Sequence, residues 1–190
     1  MASSLDFKVD TFLGVIEKRG GLQKPNRYSV YFGLPEKAGL DEGIATDMSF
    51  LASTINFTGR SIATSDYKIY GPIQKIARES IYTDLAITFM LTKDMAVRKF
   101  FDKWMHYIND TDSFDVEYFD DYKANIYIAQ LDTDKPKIFN GSNASDFSYA
   151  QQIEGAFPTN IGEVNLGFDQ NNAFGTLTVT FTFRKYKNFY

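Results

Sequence analysis

The sequence predicts a mainly β fold, a sandwich or small barrel carrying one flanking amphipathic α-helix. Aromatic residues make up 16% of the 190 positions, with 12 Tyr and 18 Phe, alongside many Thr, Ile and Val. That is the composition of pleated, half-buried surfaces. Near the end of the chain Leu177, Val179, Phe181 and Phe183 alternate strictly with Thr176, Thr178, Thr180 and Thr182, which describes a strand with one apolar and one hydroxyl-bearing face. Upstream, Val97, Phe100, Phe101, Trp104, Met105 and Ile108 recur at helical spacing, so one amphipathic helix should lie on the sheet.

The elements follow in order. Residues 1–24 read as an N-terminal arm or short helix, covering Phe7 to Lys18 and ended by Arg19, Gly20 and Gly21. Residues 25–190 read as a single β domain. Its first strand runs from Arg27 to Leu34, after a proline that suits a strand entry. From Gly39 to Asp66 the pattern loosens around Gly39, Gly43 and Gly59, and a loop of that length in a compact domain is usually functional. Tyr67 to Tyr70, a Gly71-Pro72 turn and an extended segment from Ile73 to Ile81 follow. Leu85, Ile87, Phe89 and Leu91 then alternate with Ala86, Thr88 and Met90, giving a strand with one strongly apolar face. The helix has Asp94 in its first turn and stops at Asn109 to Asp112.

Further strands are expected over Phe114 to Phe119, Ala124 to Leu131 and Phe147 to Ile153. A polar loop, Asp132 to Ser145, separates the last two. Glu163 to Phe168 reads as a strand and Asp169 to Asn172 as a turn. With the alternating segment that follows, they would make a terminal hairpin.

Several function classes fall away. No cysteine is present, which removes disulfides, thiol nucleophiles and thiolate metal sites. The net charge of −4 disfavours a protein that grips phosphate backbones. No apolar run is long enough for a membrane anchor, and no secretory leader is legible at the start. His106 is the only histidine and falls on the polar side of the helix, so no multi-histidine metal site is possible. Gly20-Gly21 lacks the context of a phosphate loop. The acidic run from Asp110 to Asp121 lacks the turn glycine and the bidentate Glu of a calcium loop. It reads instead as a solvated stripe, with Asp115 and Glu117 on one face and Val116 and Tyr118 on the other. No catalytic residue, metal or cofactor is expected, and no carboxylate pair is singled out for acid-base work.

The run Ala156 to Leu166, which contains Phe157, Pro158, Thr159, Asn160, Ile161, Gly162 and Glu163, is followed by Asp169 to Asn172 and the alternating strand. It resembles the C-terminal hallmark of the tail tube proteins of contractile-tailed bacteriophages, in which an aromatic-Pro-Thr-Asn-hydrophobic-Gly run precedes the final hairpin. Lys24, Pro25 and Asn26 before the first strand, and Gly71 to Met90 feeding the helix, match more weakly, and the likeness spans most of residues 24–184.

The resemblance implies a structural virion protein, made in the host bacterial cytoplasm. It would form hexameric rings stacked into the inner tail tube, with the tail sheath and baseplate or terminator proteins as partners. Viral DNA would pass through the lumen without specific binding. Asp115 with Glu117, and Thr176, Thr178, Thr180 and Thr182, are candidate lumen faces, because hydroxyls and carboxylates do not hold phosphates. Gly39, Gly43, Met48, Phe50 and Phe57 mark the candidate ring-stacking loop. The competing readings are a tube-initiator or baseplate adaptor ring of the same fold, a monomeric β-barrel holding a small ligand, and a cell-wall hydrolase.

Overall fold

The alternating apolar runs pair into one antiparallel sheet that curls back over its own apolar face. The computed structural model describes residues 8–131, 139–141, 147–167 and 174–189. In chain order the elements are α1 (Val9–Lys18), β1 (Tyr28–Phe32), a 3-10 turn (Glu36–Ala38), α2 (Glu42–Leu51), β2 (Ala52–Ile55), β3 (Arg60–Tyr67) and β4 (Gln74–Tyr82). Then come β5 (Leu85–Met90), α3 (Ala96–Ile108), α4 (Phe119–Tyr122), β6 (Ala124–Gln130), β7 (Tyr149–Ile161), β8 (Thr176–Thr182) and β9 (Lys185–Phe189). The main sheet is ordered β1-β6-β7-β8-β5-β2, with β9 also paired to β7, while β3 and β4 form a separate two-stranded ribbon. The mainly β class with a flanking helix is the one the composition predicts.

β7 is the spine of the sheet. Phe157 faces Thr182 and Glu154 faces Lys185 in one register, so β8 and β9 act as a single strand broken at Phe183 and Arg184. Opposite that break Gly155 adopts φ +68°, and a Cβ there would meet Phe119 Cζ at 3.2 Å and Arg184 Cβ at 3.4 Å. A glycine at a bend lets the sheet turn a corner where a side chain would not fit. The curl brings Phe32 of β1 to 5.9 Å from Phe89 of β5 and 6.3 Å from Phe181 of β8. Tyr28 Oη closes the gap between the outermost strands by donating to Ala52 O at 2.9 Å, and partial burial pushes its phenol pKa up, which keeps the donor proton in place.

α3 buries Val97, Phe100, Phe101 and Trp104, as its spacing requires. Trp104 stacks on Phe101 and donates its indole N–H to Tyr122 O at 3.0 Å. The interior that a small ligand would occupy in a hollow barrel is filled by Trp104, Phe89, Phe101 and Phe181, each fully buried. Asp94 precedes the helix instead of sitting in its first turn; from there its carboxylate accepts from Ala96 N at 3.4 Å.

The structure corrects other expectations. The span 39–66 is not a loop: it holds α2, β2 and most of β3. Asp41 caps α2 through a 2.8 Å bond from Gly43 N, and Ala45 and Met48 are buried at helical spacing. Phe114 to Phe119 is not a strand either, since only Val116 bridges to Asn109 and Phe119 opens α4. Phe114 sits at φ +58°, outside the extended region that a ladder needs.

Glu163 to Gly167 is irregular, and the strand that pairs with β8 is the end of β7, Phe157 to Ile161. The strand expected at Phe147 to Ile153 therefore continues through the proline motif to Ile161. Most of the polar loop 132–145 and the turn 169–172 lie outside the described residues. α1 resolves the arm-or-helix alternative as a helix, and it buries none of its residues.

Candidate assembly interface

Each surface with unmet bonding capacity is a direct consequence of the topology. Among the described residues β1 pairs only with β6, β2 only with β5 and β9 only with β7, so each has one edge without a described partner. Free edges recruit further strands unless they are covered. The β3–β4 ribbon is the larger exposed element. Between Gly59 and Ile81 no residue is buried, yet Ile62, Tyr67, Ile69, Tyr70, Ile73, Ile76 and Ile81 are all exposed, Tyr70 at 98%. An apolar, two-sided projection of this kind is characteristic of an interaction site.

The hydroxyl face expected on the last strand is present. Leu177, Val179 and Phe181 turn inward, while Thr176 and Thr178 are exposed and Thr180 and Thr182 are half-buried. The face extends across the sheet: Thr88 Oγ1 lies 3.0 Å from Thr178 Oγ1, Ser53 Oγ donates to Thr88 O at 3.1 Å, and Thr182 Oγ1 donates to Asp84 at 3.0 Å. Cross-strand hydroxyl pairs of this sort stabilise the ladder while leaving the surface polar. Asp115 and Glu117 are exposed, but they flank an isolated bridge and are not part of the sheet that carries the threonines.

The motif residues serve the fold. Phe157 packs edge-on against Tyr122 at 5.3 Å and Phe119 at 6.2 Å. Pro158 is buried beside a bulge, one of the places where a sheet accommodates proline. Thr159 Oγ1 donates to Thr180 O at 3.2 Å and Gly162 N to Thr178 O at 2.7 Å. Gly162 O accepts from Arg98 Nη1 at 2.9 Å, tying α3 to the end of β7. Asn160 and Glu163 are exposed.

Among the proposed stacking residues, Met48 is fully buried and belongs to the core. Gly43 lies in the first turn of α2, Gly39 follows the 3-10 turn with φ +56°, and Phe50 is exposed at 71%. Phe57 packs edge-on against Tyr149 at 5.0 Å, at the root of the ribbon. The apolar content of the ribbon was the signal that sequence reading passed over, because Ile62, Ile69, Ile73, Ile76 and Ile81 do not repeat at the two-residue spacing of a strand face.

Charges on these surfaces are locally compensated. Glu154 accepts from Lys187 at 2.6 Å and Lys185 at 3.1 Å, and the Lys187 hydrogen bond leads in holding its carboxyl below the usual range. Lys37 pairs with Asp121 at 2.8 Å, and that hydrogen bond raises its pKa. The backbone N–H of Asp112 lowers the Asp110 carboxyl, and Lys123 lowers that of Asp120. His106 is exposed, 3.8 Å from Asp110. Among the described residues no group of three His, Cys, Asp or Glu gathers as a metal site, and no helix is long and apolar enough to cross a membrane.

The described residues thus form a curled sheet with edges unpaired among them, a projecting apolar ribbon and a polar hydroxyl face. The chain belongs to the phage tail tube protein family, whose model matches residues 23–188. Family and fold are those of structural tube proteins, not enzymes.

Solved structures share the fold at low identity. A chain of the anti-feeding prophage (AFP) baseplate, 6-fold symmetrised, aligns with a TM-score of 0.60 at 12% identity, covering 88% of this chain and 95% of that one. A chain of the sheath/tube terminator of an extracellular contractile injection system, PVC, in the extended state aligns at 0.58 with 15% identity, covering 88% and 96%. A chain of the PVC sheath-tube complex aligns at 0.56 with 15% identity, covering 88% and 90%. No curated protein matches the chain.

Proposed function

We propose that this protein forms hexameric rings that stack into the inner tail tube of a contractile particle, with DNA passing through the lumen. The observation that carries the reading is the β3–β4 ribbon, which exposes seven large apolar side chains from Ile62 to Ile81 and lends only Tyr82, at its foot, to the core. A monomer gains nothing from such a surface, whereas a neighbouring ring would bury it. The ribbon narrows the candidate stacking element to the end of the span 39–66 and extends it through β4 to Tyr82.

The edges of β1, β2 and β9 that have no partner among the described residues supply the lateral contacts, because strands of adjacent copies can join into a continuous sheet and ring closure pairs such edges. The hydroxyl face around Thr178 lines the lumen. Sheath, baseplate and terminator proteins are the remaining partners, and the product resides in the virion tail after synthesis in the host cytoplasm.

A second reading is a ring of the same fold that starts, adapts or ends the tube. Chains from baseplate, terminator and sheath-tube assemblies align almost equally well, at 0.60, 0.58 and 0.56. Negative-stain electron microscopy over a concentration series separates the two. Rings that lengthen into tubes support the tube subunit, and rings that never stack, even when seeded, support the initiator or terminator. Monomers at every concentration overturn both.

A further inference from the structure

We propose that Gln151 is the positioning residue of the β3–β4 ribbon, fixing the direction in which the ribbon leaves the sheet. Only Ser29, Thr58 and Gln151 are buried polar residues among those described, and the last two are bonded to each other. Gln151, at 1% exposure, accepts on Oε1 from Thr58 N at 3.1 Å and from Thr58 Oγ1 at 2.8 Å. Its amide nitrogen donates to Asn188 Oδ1, its cross-strand neighbour on β9, at 3.2 Å.

Thr58 lies between β2 and β3, at the root of the ribbon. Phe57 beside it packs on Tyr149, two residues before Gln151 on β7. Residues 57 and 58 thus form a strap held down on β7 by one aromatic contact and one buried amide. On the return side Thr83 N donates to Gly59 O at 3.3 Å, and Tyr82 packs on Phe183 and Tyr186 at 5.8 and 5.3 Å.

A two-stranded ribbon is marginal by itself, so its order depends on this root. If Gln151 is replaced by an apolar residue, the Thr58 N–H and hydroxyl lose their acceptor in a buried place. The strap relieves that penalty by lifting into water. The ribbon then swings, giving up the Phe57–Tyr149 contact but none within the main core cluster. Use of the ribbon for stacking rests on the tube reading above; its attachment through Gln151 does not.

The test compares wild type with Gln151→Met, Thr58→Val and Thr58→Ser by hydrogen exchange and by tube growth. Gln151→Met should speed exchange across 60–82 by about tenfold or more while β5 and β8 exchange as before. Thr58→Val should act more weakly, and Thr58→Ser, which keeps the hydroxyl, should restore wild-type protection. The concentration needed for tube growth should rise in the same order. Unchanged ribbon exchange, or equal acceleration in β5 and β8, overturns the positioning role. A loosened ribbon with normal tube growth overturns its link to stacking. If wild type itself never stacks, the tube reading fails and exchange alone still decides the role of Gln151.

Discussion

At Gly162 a Cβ would sit 2.8 Å from Thr178 O, the same carbonyl to which the Gly162 N–H donates. An alanine there must push β7 off β8, and the Arg98 bond to Gly162 O would move with it. Gly162→Ala should therefore destabilise the fold by about 1–3 kcal/mol, as overpacking does, read as a lower melting temperature. Glu154 offers a pH signature. Its carboxyl is held below the usual range in the folded state, so its stabilisation is present above the unfolded value and is lost as pH falls through the folded one. The difference in melting temperature between wild type and Glu154→Gln should shrink on acidification below about pH 4; a constant difference would show that the Lys185 and Lys187 pairs add nothing. Side chains of this kind were legible only in part. The run from Phe157 to Gly162 carries the resemblance to the family, but its role in bonding β7 to β8 and α3 depends on partners far away in sequence.

Among the elements, the ribbon is separable. Gly59 and Thr83 are already joined by a backbone hydrogen bond of 3.3 Å, so residues 60–81 can be exchanged for a short Gly-Asn-Gly turn that keeps Tyr82 on Phe183 and Tyr186 and leaves β2 and β5 intact. The variant should fold with a melting temperature close to wild type, since 59–81 contains no buried residue, and should form rings without tubes. Loss of the folded monomer would show that the ribbon supports the core. Helix α3 and strands β5 and β8 were readable because their apolar positions repeat with the period of one buried face. Helix α2 was missed, although Asp41 as cap and Ile44, Met48 and Leu51 at helical spacing were available. Gly43 and the intervening polar residues masked the signal. The 114–119 alternation misled for the opposite reason: alternation without burial selects no strand, and there Phe114 takes a left-handed backbone.

For the whole assembly, the hydroxyl face makes a testable claim about the lumen. Thr178→Lys would place a ring of cations inside each tube if that face lines the channel. Short duplex DNA should then bind the variant tubes at low salt and release as salt rises, because binding is driven by counterion release. Wild-type tubes should not retain it. Tubes of the variant that fail to bind would place the threonines elsewhere.

By itself the sequence determined which segments have an inside and an outside: β5, β8 and α3, whose periodicity records one buried face each. It also carried the resemblance to the family whose model matches residues 23–188. Tertiary structure decided the rest. Alternation encodes a face but not a partner, so the strand beside β8 is Phe157 to Ile161 and not the segment after Gly162. Pairing and curvature are settled by contacts between distant residues, such as the close approach of Phe119 and Arg184 to Gly155 and of Phe32 to Phe181, and no local pattern contains those distances.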